Sequence, residues 1–104
     1  MSAARLRAWL QAQPGTVTYA AAAAALGLQP PGTIAQVAAL LETLMAEDAA
    51  AGRPFLAARV VSRASGAPAP GFYQTAARLG RADVDAAAER AALPGAPEAP
   101  KPPA

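Results

Sequence analysis

TVTYAAAAAALGLQPPGTIAQVAALLETLMAED, Thr16 to Asp48, decides how this chain folds. Its middle, Gln29-Pro30-Pro31-Gly32, is a rigid turn, because proline lacks the N–H that a helix interior needs. Beyond it, Ile34, Val37, Leu41, Leu44 and Met45 recur on one helical face. Thr33 and Gln36 have the spacing of a capping box, and Gly52 suits the helix stop. Before the turn, Val17 and Thr18 form a short β-branched stretch. Thr18 is placed to cap the alanine run that follows, and Gly27 to end it. Two helices joined through a Pro-Gly turn predict a helix-turn-helix.

Upstream, Leu6, Trp9, Leu10 and Gln13 fall at helical spacing, and Pro14-Gly15 ends that first helix. Downstream, PFLAARVV (54–61) reads as a short strand buried on both faces, followed by a turn at Ser65-Gly66. APAPG is too proline-rich for an interior strand, and Gly71 would supply a backbone angle closed to other residues. Phe72 and Tyr73 lead into a helix that uses Ala76 and Leu79 and breaks at Gly80. Asp83 is the expected cap of a last helix, DVDAAAERAAL. From Leu93 the chain reads LPGAPEAPKPPA, which predicts a flexible, polyproline-like tail over 93–104 and one folded domain over 2–92. The expected fold class is mostly α with a small β component, a winged-helix-like domain containing the helix-turn-helix.

The apolar fraction is 54%, yet aromatics supply only 5% and alanine most of the rest. Each alanine buries little area. The core must therefore rest on the larger side chains, Leu6, Trp9, Leu10, Val17, Tyr19, Leu26, Ile34, Val37, Leu40, Leu41, Leu44, Met45, Phe55, Leu56, Val60, Val61, Phe72 and Leu79. The chain has no cysteine and no histidine, which excludes thiol nucleophiles, thiolate metal sites and imidazole-based triads. No cofactor is expected. No apolar run is long enough to span a bilayer and the first residues lack a signal-peptide core, so no membrane partner is expected and the cytoplasm is the expected location.

TVTYAAAAAALG, GTIAQVAALL and LAARVVSRASGAPAPGFY, taken in this order, resemble the C-terminal DNA-binding domain of O6-alkylguanine-DNA alkyltransferases and alkyltransferase-like proteins. The resemblance covers residues 15 to 73. Val17, Thr18 and Tyr19 match the family's Val-Thr-Tyr, and Leu26 and Gly27 its helix end. Val37 matches the Val of the recognition motif, and Arg59, Val60 and Val61 the Arg-Val-Val after the active site. Gly71 with Phe72 or Tyr73 is similar to the Gly-Tyr that ends the wing. Leu56, Ala57 and Ala58 stand where the family has Pro, Cys and His, and Ala35 where it has a DNA-intruding arginine. Alkyl transfer needs a thiolate and a base to activate it, and neither is present. The resemblance thus implies a non-enzymatic relative, and Ala35 argues against lesion sensing by base flipping.

A net charge of +2, with nine basic against seven acidic residues, is a small surplus for a nucleic-acid binder, so its distribution matters more. The expected contacts to double-stranded DNA are Tyr19, Thr33, Gln36, Arg53, Arg59 and Arg63. Thr33 and Gln36 open the recognition helix, where glutamine can read adenine or simply cap. Arg53, Arg59 and Arg63 form the best basic cluster, with Arg63 near the tip of the wing. Tyr19 can donate to a phosphate or fill the core. The leading expectation is phosphate-contacting DNA binding with low base specificity, in a regulatory or DNA-processing setting. The alternative is a protein-interaction module on the same fold, favoured by Glu42, Glu47 and Asp48 on the recognition helix. A continuous positive face joining the three arginines would favour DNA, and an exposed apolar patch would favour a protein partner.

Overall fold

A computed structural model describes residues 3–93. The order is α1 (Ala3–Gln11), β1 (Val17–Thr18), α2 (Tyr19–Ala25), α3 (Thr33–Ala51), a 3₁₀ turn (Leu56–Arg59), β2 (Val60–Val61), α4 (Pro70–Arg78) and α5 (Ala86–Ala92). The domain is mostly helical, with a small sheet of two strands. β1 and β2 are parallel, with Val17 opposite Val60 and Thr18 opposite Val61. The whole of α2 and α3 lies between them in the chain. The strand pair therefore fixes the start of α2 beside the segment that leaves β2. Among the described residues, no helix is long and apolar enough to cross a membrane.

Helix α3 is the spine of the domain. Its buried stripe is Val37, Leu41, Leu44, Met45 and Asp48, against which α1, α2, α4 and the 3₁₀ turn all pack. Gly52 closes it at φ +69°, and Arg53 N–H returns to the Asp48 carbonyl at 2.8 Å. The capping box is not formed. Gly32, at φ +76°, takes the cap position, and Thr33 is already the first helical residue. Gln36 instead turns Nε2 back onto the carbonyls of Gln29 (3.0 Å) and Pro31 (3.2 Å), tying the Pro-Gly turn to the helix it precedes. On α2 the expectation holds. Thr18 Oγ1 accepts from Ala21 N–H at 3.0 Å, and Gly27 has φ +65°.

Residues 54–61 are not one strand. Phe55 N–H donates to Glu89 Oε1 (3.0 Å) and Leu56 N–H to Asp48 Oδ2 (3.2 Å), so side chains take the place of ladder partners. Leu56 to Arg59 then wind into a 3₁₀ turn, and only Val60 and Val61 pair. The apolar pattern on both faces of this segment, which suggested a buried strand, belongs to a four-residue 3₁₀ turn wrapped by helices.

After β2 the chain closes a turn, with Ser62 N–H to the Ala67 carbonyl at 2.7 Å and Gly66 N–H to the Ser62 carbonyl at 2.8 Å. Among the described residues, no returning strand follows it. Pro70 starts α4, with its fixed φ suited to the first helical position, so Gly71, Phe72 and Tyr73 lie in a helix rather than at the end of a wing. Gly71 has no positive φ. The cap of α5 is Asp85, whose Oδ1 accepts from Ala87 and Ala88 N–H, and Asp83 lies two residues too early.

Most of the expected core is buried, but Ile34 is 49% exposed. Arg59 and Asp48, both charged, are each only 1% exposed. Leu93 packs on the core, and the rest of the tail lies outside the described residues.

Candidate interaction cleft

Two cavities meet between the starts of α2, α3 and α4. The inner one, about 80 Å³, is walled by Leu41 and Met45 of α3, Phe72 of α4 and Ala57 of the 3₁₀ turn. The outer one, about 450 Å³, lies beside Thr18, Ser62 and Arg63. Tyr19, Ile34 and Ala69 line both, so the two form one cleft with an apolar end and a polar end. Glu42 and Thr75 close the apolar end.

Each wall follows from local sequence. Thr18 caps α2 and so starts that helix at Tyr19, whose Oη accepts from Ala69 N–H at 3.0 Å. This bond ties the chain entering α4 to the start of α2. Burial raises the Tyr19 pKa above the ordinary tyrosine value; the Ala69 N–H opposes this and nearby Tyr73 adds to it. Phe72 stacks edge-on with Phe55 (5.9 Å between centroids) and Tyr73 (5.1 Å), which leaves Tyr73 39% exposed beside the cleft wall. Ile34, one turn before Ala38 on α3, is the other large exposed apolar side chain among the described residues.

Of the expected DNA contacts, the structure brings Tyr19 and Arg63 to this cleft. Thr33 is half-buried in the first turn of α3, and Gln36 is held by the Gln29 and Pro31 carbonyls. The three arginines do not form one face. Arg53 Nε pairs with Asp48 Oδ1 at 3.0 Å. Arg59 is buried, and its Nη1 donates to the Leu10 carbonyl at 2.7 Å, so it is turned away from any phosphate. Arg63 is exposed and alone among the described arginines has no hydrogen bond, ion pair or ring contact.

The other described arginines are engaged in the fold. Arg7 pairs with Glu47 and Asp48, both at 2.9 Å. Burial disfavours the Arg7 charge, but the hydrogen bonds and charges of those two acids outweigh it and hold its pKa above the ordinary value. Arg78 meets Glu42 at 3.4 Å. Arg81 meets Glu89 at 3.2 Å and lies 4.2 Å over the Phe55 ring. Arg90 donates to the Ala58 carbonyl. The acids of α3 are therefore counterions for neighbouring helices.

A further cavity of about 460 Å³ adjoins Asp48, Arg7, Arg53 and Leu93, and its charged walls are those same internal pairs. Among the described residues, no cluster of acids is arranged to hold a metal ion. Two features of the cleft were missed in the sequence, the exposure of Ile34 and the inner cavity. The signal for Ile34 was its place in the first turn, where a helical face is not yet covered by the next turn's neighbours. Ala57, where the alkyltransferase resemblance has its cysteine, is a wall of the inner cavity and offers a methyl group. No protein-family model, curated protein or solved structure matches this chain.

Proposed function

We propose that this protein is a non-enzymatic protein-interaction module that uses the cleft between α2, α3 and α4 as its contact surface. We read α2, the Pro-Gly turn and α3 as a helix-turn-helix, a reading supported by the order of these elements and by the resemblance over residues 15 to 73, in a domain without the returning strand of a wing among its described residues. The observation that carries the function is the apolar cavity flanked by exposed Ile34 and Tyr73. An apolar opening with exposed apolar flanks gains free energy when a partner removes it from water.

The second reading, phosphate-contacting DNA binding with low base specificity, is favoured by unpartnered Arg63 beside Thr18 and Tyr19 at the polar end. It has the weaker support, because Arg53 and Arg59 are committed to Asp48 and Leu10. A single cation supplies little of the counterion release on which DNA affinity rests.

Photo-cross-linking tests the leading reading. A benzoylphenylalanine placed at Tyr73 in the full chain should give protein adducts in native cells, and Ile34→Glu should remove them. Adducts to DNA alone, or none to any macromolecule, would refute the module.

A further inference from the structure

We propose that the occupant of this cleft is a second copy of the same chain, with the two α3 helices antiparallel about a two-fold axis at Ile34. The inference rests on the reading of the cleft as a protein contact and names the partner.

Three features of the cleft are self-complementary. The first is charge. Arg63 lies at the polar end and Glu42 at the apolar end, with Ile34 common to both. Ile34, Ala38 and Glu42 follow one ridge of α3, so Glu42 stands about 12 Å along the helix from Ile34. A two-fold axis at Ile34 exchanges the ends and sets each Arg63 against the other copy's Glu42. Among the described residues, Arg63 has no partner. Glu42 meets Thr75 and Arg78 through Oε1 only, which leaves Oε2 open, and its side chain is 54% exposed.

The second feature is size. The inner cavity measures about 80 Å³. An apolar cavity of about 150 Å³ holds benzene, so this one suits a branched aliphatic group and is too small for a nucleobase. Ile34 carries such a group at the mouth of each cavity, and pairing brings it over the mouth of the other. The third is shape. Ala38, exposed one turn from Ile34 on α3, is a small side chain that lets the other copy approach closely. A contact in which the same patch serves both sides is the geometry of a two-fold dimer.

Sedimentation velocity on the full chain, from about 1 µM to about 500 µM, spans the range of weak protein contacts. The parent is expected to shift from monomer to dimer within that range, and Ile34→Glu to remain monomeric. Arg63→Glu and Glu42→Arg should each weaken the dimer at least about tenfold, and the double variant should recover most of the loss, because contacting residues are energetically coupled. Thermal melts should show all variants folded. A parent that stays monomeric, or a dimer indifferent to Ile34→Glu or unrescued by the charge swap, would overturn self-pairing. In that case, adducts from position 73 to a different protein would leave the interaction module standing, and their absence would remove both.

Discussion

Arg59 donates a 2.7 Å hydrogen bond from Nη1 to the carbonyl of Leu10, 49 residues earlier in the chain. Leu10 lies in the last turn of α1, where carbonyls lack helical partners and a cation is favoured. The only buried arginine among the described residues thus pins the end of the first helix to the 3₁₀ turn. Arg59→Ala leaves a void and only the Gln13 N–H, at 3.1 Å, on that carbonyl, and should cost about 3 kcal/mol in urea unfolding. Arg59→Lys should recover part of it. An unchanged unfolding midpoint for the alanine variant would refute this role.

Asp48 is the second buried charge, receiving Arg7 Nη1, Arg53 Nε and Leu56 N–H. Asp48→Ala strands the buried Leu56 N–H and leaves Arg7 with Glu47 and the Leu44 carbonyl alone, and should cost about 1–3 kcal/mol. Arg53→Ala removes a partner whose side chain is 52% exposed, and should cost less than about 1 kcal/mol. Equal losses from the two would contradict the account.

Tyr19 gives the domain an alkaline dependence. Burial raises its folded-state pKa above the ordinary 10.0, so the folded state holds the proton more tightly than the unfolded chain. Its contribution is fully present below pH 10.0 and declines as pH rises through the folded-state value. Denaturation at about pH 9 and about pH 11 should show parent stability falling. The fall should be smaller in Tyr19→Phe, which also loses the Ala69 hydrogen bond, worth about 1 kcal/mol, at neutral pH. An identical fall in both proteins would exclude Tyr19 as the cause.

For DNA, Arg63, the one arginine without a partner among the described residues, sets a ceiling. Fluorescence anisotropy with labelled duplex should show weak binding, with a log–log salt slope no steeper than about −1, abolished by Arg63→Ala. A slope near −3, reduced by Arg53→Ala and Arg63→Ala alike, would instead favour DNA as the partner.

Much of the helical architecture was legible because its signals are local. Period along α3, threonine before α2 and glycine after α3 each act within a turn or two of chain. The 3₁₀ turn was hidden because Asp48 and Glu89, far off in sequence, take the backbone N–H groups a strand would have used. Asp48 continues the buried stripe of Leu41, Leu44 and Met45, so its burial was written in the spacing but masked by its charge. For the site, sequence brought Tyr19 and Arg63 into consideration but could not show that Arg59 points inward. That depends on Leu10, on a helix whose docking angle no local pattern encodes.

Ile34 is the one isoleucine of the chain, so its δ1 methyl gives a single assignable carbon–proton NMR resonance at the centre of the cleft. The most direct test follows that resonance in two titrations of the full chain, one against its own concentration and one against a duplex DNA. The account predicts a shift or broadening as protein concentration rises, larger than any change on adding DNA. A resonance indifferent to protein concentration that moves with DNA would contradict it.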